Sequence, residues 1–480
     1  MLKIRIVFLK YNLFNMNDVF SLHKIYAVVI SMIISPIEIF AESKGENPNI
    51  IFILVDDLGF SDLGFLGKKD VHTPNIDRLA SQGMYFSNAY AASPVSSPTR
   101  ASILTGRSPA ELKITCHIPG VGMEKYITRM DKDRICKEAH FVDHLPENET
   151  TIASFLNERN YHTAFLGKWH LGGEGSQLTD NGVVNWSWLP DKYGFELNIA
   201  GCAYGQPASY FAPYRIATIK DGEDGEYLTD RLGDEAVNFI SQNHPDKTGQ
   251  PFFMYLSFYS VHTPFQAPQD VVSQNKGNKY YAMIQKMDEN IGKVLKRLDD
   301  LDLGEKTIII FYSDNGGIFE NDPLSEKKGS IKEGGIRVPL LVRWDGIVKA
   351  GSICNEPVTS IDFYPTIAEL SGDLLCKDQE ACSLYPLFTG KSTTVGKRAL
   401  YWHFPHHRFD VDFSMASAIR DGDWKLVQLF EQEEIYLYNL KDDLGETNNV
   451  FQANPQKGFE LLEKLKKWQI RVNAEMPQRW

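Results

Sequence analysis

The chain has 480 residues, 43% of them hydrophobic and 23% charged, enough for a large core and more in keeping with two domains than one. Its formal net charge of −12 argues against a nucleic-acid surface, which needs a basic stripe, but leaves room for a small anionic substrate where cations cluster locally. Six cysteines without a CxxC pair argue against a zinc ribbon; either Cys376 and Cys382 close a small loop, as an exported protein permits, or the thiols stand unpaired.

In chain order, Lys24 precedes the apolar run Ile25–Ile34, and Ile39-Phe40-Ala41 leads into the polar Glu42–Gly45. A charged start, a short apolar stretch and a small residue at the cut describe a secretory signal ending at Ala41. Residues 1–41 are therefore read as signal and upstream segment, and the rest of the chain as exported. The run is short for a bilayer span, and no cysteine follows it to carry a lipid, so no stable membrane anchor is expected.

Asn49–Val55 is a continuous apolar run ended by Asp56-Asp57-Leu58-Gly59. Unbroken rather than alternating hydrophobicity marks a strand buried on both faces. Helices are predicted at 75–82, after Thr73-Pro74, and at 97–104, entered through Pro98. An amphipathic helix at 150–160 leads to a strand at 161–166 that ends in Gly167-Lys168-Trp169-His170. Further on, the pattern gives a helix at 227–242, a strand at 251–259, a long helix at 280–301 and an apolar strand at 307–312 ended by Ser313-Asp314-Asn315. A strand at 338–343 and a helix at 362–372 follow. This alternation predicts an α/β domain with a mixed, mostly parallel central sheet flanked by helices. Near residue 390 the pattern changes to short strands at 398–403, 416–419, 424–431 and 435–439 and a helix at 456–472. Residues 42–390 and 391–480 are thus read as a large catalytic domain and a small α+β domain, an antiparallel sheet plus a helix.

Ligands in open α/β sheets sit beyond the carboxyl ends of strands. Asp56 and Asp57 follow one buried strand, and Asp314 and Asn315 follow another. With Ser96 they form a hard, all-oxygen set suited to Ca²⁺ or Mg²⁺. Either acidic pair alone reads as an ordinary turn; two pairs ending buried strands do not. Lys168 and His170 are two apart and share a side of an extended segment, His262 follows the 251–259 strand, and Lys328 opens Lys328-Gly329-Ser330. Cations on the edge that carries the carboxylates describe an anion pocket. Ser96 and Arg100, one helical turn apart, fit an oxygen nucleophile presented beside a cation.

At these residues the chain resembles the type I sulfatases of the alkaline-phosphatase-like superfamily. The likeness runs from the Asp56-Asp57 strand to Tyr436–Leu440, and is carried by Ser96-Ser97-Pro98-Thr99-Arg100 with its Thr105-Gly106-Arg107 ending, by Gly167–Gly172, by Lys328–Pro339 and by Ala418–Leu426. The resemblance implies that Ser96 is the precursor of Cα-formylglycine and that its side chain joins Asp56, Asp57, Asp314 and Asn315 around one Ca²⁺. It also implies that Arg100 holds the formylglycine, that Lys168, His262 and Lys328 grip the sulfate, that His262 protonates the leaving alcohol, and that His170 is the base that collapses the sulfated intermediate. A serine precursor implies a partner, the oxygen-independent anaerobic sulfatase-maturating enzyme of bacteria, and with it a periplasmic or secreted bacterial enzyme. The chemistry agrees: a hydrated aldehyde has one hydroxyl to attack sulfur and a second to expel sulfate, whereas a plain serine would be stranded as its sulfate ester.

The expected substrates are sulfated glycan sugars of mucin or glycosaminoglycan type, galactose or N-acetylhexosamine, cleaved exo; small aryl sulfates are the alternative. Candidate sugar contacts are Tyr210 and Arg215 in the tract 205–215, His140, and the histidine-rich tract Trp402–Arg408 with His403, His406 and His407. A two-metal phosphatase or phosphodiesterase of the same superfamily needs a second set of His and Asp ligands, and none stands beside Asp314. A silent glycan-binding relative would have lost a site residue, and a Ser-His-Asp hydrolase needs a Gly-x-Ser-x-Gly elbow that Ser96 lacks.

Overall fold

The computed structural model describes residues 47–118, 134–173, 187–373 and 380–480; the expected signal segment and Cys376 lie outside them. Its large sheet has eight strands: β1 Asn49–Val55, β2 Met84–Phe86, β3 His162–Gly167, β4 Leu197–Ile199, β5 Phe252–Ser257, β6 Thr307–Ser313, β7 Leu340–Arg343 and β8 Ser352–Cys354. Their order is β8-β2-β7-β6-β1-β5-β3-β4. β1 pairs in parallel with both β5 and β6, and β7 is the strand that runs against its neighbours. The expectation of a mixed, mostly parallel sheet is met.

β1 shows why its run is unbroken. Ile51, Ile53 and Val55 face one helical layer and Ile50, Phe52 and Leu54 the other, all with no exposed surface. Each such burial stabilises by about 1.5–3 kcal/mol before chain entropy is set against it. The first layer is built from α1 Pro74–Gln82 and two helices introduced below; the second from α2 Ser96–Thr105 and α3 Ile152–Asn157. α3 is shorter than the predicted 150–160 helix. Thr151 and Ser154 exchange hydrogen bonds in a capping box that starts it, and Asn160 adopts a left-handed φ of 67° just beyond its end. α4 Leu228–Gln242 and α5 Lys279–Asp300 complete the first layer, and α6 Phe363–Leu370 the second.

A four-stranded antiparallel sheet follows: β9 Ala399–Phe404, β10 Ala416–Asp421, β11 Trp424–Leu429 and β12 Ile435–Asn439, in that order. One face packs under α7 Pro455–Arg471 through Leu461, Leu465 and Trp468. The other packs Trp402, Phe404 and Val427 against Tyr90, Val95, Ile331 and Ile336, and the Trp402 indole N–H donates to the Ala91 carbonyl at 2.8 Å. The small sheet therefore buttresses the loops that deliver Ser96 and Lys328. Residue 390 falls between the two sheets. No helix among the described residues is long and apolar enough to cross a membrane.

Candidate active site

Because β1, β3, β5 and β6 run parallel, the residues following them meet at one edge: Asp56 and Asp57, Lys168 and His170, His262, and Asp314 with Asn315. Ser96 enters this edge in the first turn of α2, where free N–H groups and the helix dipole favour negative charge. All ten residues of α2 are buried, so the nucleophile candidate rides on a fixed element. Gly167 lets β3 close on β5: its φ is 106°, and a Cβ there would lie 1.8 Å from the Ser257 carbonyl oxygen.

Carboxylate oxygens of Asp56, Asp57 and Asp314 lie within 4.8 Å of one another, and all three residues are buried. The Ser96 hydroxyl is 3.2 Å from both Asp56 Oδ1 and Asn315 Oδ1. One O–H satisfies one of two acceptors, so the set leaves oxygen lone pairs directed inward. Asn315 Nδ2 donates to Asp57 Oδ1 at 2.8 Å and the Asp57 amide to Asp314 Oδ1 at 3.2 Å. An all-oxygen donor set of this composition fits one hard divalent cation.

The cations close around it. Lys168 Nζ donates to Asp56 Oδ2 at 2.6 Å and to Ser96 Oγ at 3.3 Å. Lys328 Nζ is 2.6 Å from Asp57 Oδ1. Arg100 grips Asp314 Oδ2 through Nε at 2.9 Å and Nη2 at 2.7 Å, and donates Nη1 to the Lys168 carbonyl and Ser257 Oγ. Among the described residues it makes no hydrogen bond to Ser96; its charge acts on the carboxylates. Burial, only partly offset by Lys168, together with Asp314 and Asp57 pushes Asp56 up to about 8. Burial also acts to raise Asp57, but Lys328, His262 and Lys168 outweigh it and hold that carboxyl below the ordinary range.

His170 sits at a left-handed φ of 60°. Its Nε2 lies 2.9 Å from the Ile118 carbonyl and so carries the proton, while buried Nδ1 has no hydrogen-bond partner among the described residues. Burial, with Lys168 and Arg100 near, keeps the ring neutral. His262 places Nδ1 2.9 Å from the Thr263 carbonyl and Nε2 3.6 Å from Asp57 Oδ2.

The expected sugar contacts fare differently. Tyr210 is fully buried and donates to the Tyr259 and His262 carbonyls at 2.6 and 2.9 Å; it positions His262 rather than meeting a sugar. His403 is buried between Ser417 Oγ and the Glu475 carbonyl. His406 is buried between Glu138 and Thr115, and His407 is buried against the Cys136 carbonyl with its amide on Glu138. These three rings are committed to protein partners, which corrects their reading as sugar contacts. Arg215 and His140 are exposed and make no hydrogen bond or ion pair with the site among the described residues. Two residues not singled out by sequence do belong here. His117 is held neutral, near pKa 3, by burial and by Arg408, Lys328, His406 and His262 around it, and Arg408 lies against Gly329. The only signal was position: Arg408 ends the histidine-rich tract.

A mostly parallel sheet with carboxylates and lysines gathered on its carboxyl edge, and a small antiparallel sheet behind, defines the alkaline-phosphatase-like class. Comparison with known proteins narrows it. The family described as Sulfatase matches residues 48–373, and that described as N-sulphoglucosamine sulphohydrolase, C-terminal, matches residues 326–474. A sulfatase of Formosa agariphila is 32% identical, with 93% of this chain and 94% of that protein covered. Human N-acetylgalactosamine-6-sulfatase is 29% identical over 69% of this chain and 63% of its own length. A crystal structure of Ps i-CgsB in complex with k-i-k-neocarrahexaose superposes with a TM-score of 0.72 at 32% identity, covering 88% of this chain and 93% of that one. The chain belongs to the sulfatase family of the alkaline-phosphatase-like superfamily, and it is a sulfuric ester hydrolase.

Proposed function

We propose that the enzyme removes O-sulfate from sulfated glycan sugars, exo-acting, with one Ca²⁺ and a Cα-formylglycine formed from Ser96. The observation that carries this reading is the Ser96 hydroxyl, held within 3.3 Å of a carboxylate oxygen, an amide oxygen and a lysine in a buried anion pocket. The oligosaccharide bound by the related Ps i-CgsB favours sugar over small aryl sulfates. Asp56, Asp57, Asp314, Asn315 and Ser96 would hold the ion, which when bound supplies Lewis-acid neutralisation of a sulfuryl oxygen. Oxidised Ser96 supplies a hydrated aldehyde with two hydroxyls on one carbon.

The chain's own groups do the rest. Lys168 and Lys328 neutralise sulfate oxygens, and Arg100 fixes Asp314 so that the carboxylate cradle stays rigid when the anion arrives. With Nδ1–H tied to the Thr263 carbonyl, His262 gives the departing alcohol its proton from Nε2 only as the imidazolium, a charge that Asp57 Oδ2 at 3.6 Å and the incoming anion favour; Tyr210 fixes its backbone. His170 Nδ1, an acceptor without a hydrogen-bond partner among the described residues and with its other nitrogen tied to Ile118, is set to take a proton at the second hydroxyl. Maturation by an anaerobic sulfatase-maturating enzyme and export to the periplasm or medium of a bacterium belong to the same reading. The test is sulfate release from a panel of sulfated monosaccharides by protein matured together with that enzyme. Release from at least one 6- or 4-sulfated galactose or N-acetylhexosamine is expected; faster release of phosphate than of sulfate overturns the reading.

A further inference from the structure

We propose that Arg408, paired with Asp410 and laid across Gly329, is a specificity-determining residue that reads hydroxyl groups on the sugar ring bearing the ester. This rests on the carbohydrate reading above and assigns part of its recognition to the small sheet.

Placement comes first. Gly329 directly follows Lys328, has a φ of 92°, and a Cβ on it would lie 2.8 Å from Arg408 Nε and 2.9 Å from Cγ. The glycine is needed both for its turn and to let the arginine lie beside the sulfate-gripping lysine. The loop between β9 and β10 that carries Arg408 is pinned there. Ile331 N donates to the Phe413 carbonyl at 2.9 Å, the amides of Asp412 and Phe413 donate to Glu326 at 3.2 and 3.3 Å, and Arg408 N donates to Ser414 Oγ at 3.1 Å.

Exposure then marks a path. Asp56, Asp57 and Asp314 are at most 1% exposed, whereas Lys328, His262, Arg408 and Asp410 rise through 13, 18, 20 and 29%. Arg408, set against Gly329 and more open than the Lys328 beside it, thus stands where the alcohol half of an ester can reach once its sulfate is seated on the lysines, with Asp410 as its partner. His117 lies within electrostatic reach of Arg408, Lys328 and His262 alike.

The chemistry of the pair selects its ligand. Asp410 takes Nε at 3.1 Å and Nη2 at 3.2 Å in a bidentate bond; Nη1 makes no hydrogen bond among the described residues. A guanidinium whose charge is balanced by its own carboxylate presents donors and acceptors side by side. Vicinal hydroxyls, each both donor and acceptor, complement that edge; a bare aromatic ring does not.

The experiment compares matured wild type with Arg408→Ala, Arg408→Lys and Asp410→Asn, measuring kcat and KM on the best sulfated monosaccharide and on 4-nitrophenyl sulfate. In Arg408→Ala the ratio of sugar to aryl kcat/KM is expected to fall about tenfold or more, through KM rather than kcat. Arg408→Lys, which loses the fork, does not restore it, and Asp410→Asn falls between. Equal losses on both substrates, or an unchanged ratio, overturn the proposal. If Arg408→Ala fails to fold, the ratio in Arg408→Lys and Asp410→Asn decides: a fall supports the proposal and an unchanged ratio overturns it. Wild type that cleaves the aryl ester and no sugar sulfate overturns the carbohydrate reading, and this assignment with it.

Discussion

Two clusters of buried charge stand in this chain, and they are built on opposite plans. At the site, Asp56, Asp57 and Asp314 crowd together and Ser96 offers one proton to two acceptors. Behind it, Glu333 and Glu446 share Lys425, whose Nζ is 2.9 Å from each. Arg337 Nη1 reaches Glu333 Oε2 at 3.2 Å, Tyr90 donates to the same oxygen at 2.6 Å, and Arg420 donates to Tyr90. Glu446 also accepts the Glu333 amide at 2.6 Å. Every oxygen of Glu333 has its own donor. The second cluster is nearly closed, with Glu446 Oε1 held by its ion pair to Lys425 alone, and it locks the small sheet onto the large one; the first is left open toward a cation and an anion. Buried charge in itself says little about role, and the balance of donors to acceptors says more.

The sharpest break between them is kinetic. Ser96→Ala should lower sulfate release by on the order of 10⁴-fold or more while its melting temperature stays close to wild type; a loss under tenfold would place the nucleophile elsewhere. Glu333→Gln should do the reverse. Taking the Glu333 carboxylate from Arg337 and leaving Lys425 with Glu446 alone costs about 3–5 kcal/mol, read by denaturant unfolding, with kcat of the folded fraction little changed. The same cluster sets an acid limit. Burial opposes the Glu333 charge, but Lys425, Arg337 and Arg420 outweigh it and bring the pKa to about 2. A folded pKa below the unfolded value of about 4.3 gives stability that is present above that value and is lost as pH falls toward about 2. The loss amounts to about 3 kcal/mol and should be missing from the Glu333→Gln acid-unfolding curve. The smallest effect belongs to the open cluster. Ca²⁺ at a hundred times its Kd should raise stability by about 2.7 kcal/mol, and Asp57→Asn should abolish that rise in a calorimetric scan.

Much of this was legible in the chain. The strands that place Asp56, Lys168, His262 and Asp314 are unbroken apolar runs, and their ends are marked by the polar residues themselves. In the large sheet the strands missed were Met84–Phe86, Leu197–Ile199 and Ser352–Cys354. Three residues carry no periodicity, and such edge strands exist because a neighbour offers its backbone. The site's ligand set could be read because its carboxylates and amide follow buried strands and Ser96 stands at the start of a predicted helix; Arg408 was legible only as the end of the tract Trp402–Arg408, and His117 not at all, since both reach the pocket through loops whose path depends on the docking of the small sheet. The histidines at 403, 406 and 407 misled for the complementary reason. A polar ring in a loop-like tract reads as a ligand contact until its partners, Ser417, Glu138 and Thr115, are placed beside it.

The central claim is that Ser96 acts only after conversion. It is tested by preparing the protein with graded amounts of the maturating enzyme, measuring the converted fraction of the Ser96 peptide by mass spectrometry, and plotting sulfate release against it. A straight line through the origin is predicted. Full activity in a preparation whose Ser96 is wholly unconverted would contradict the account.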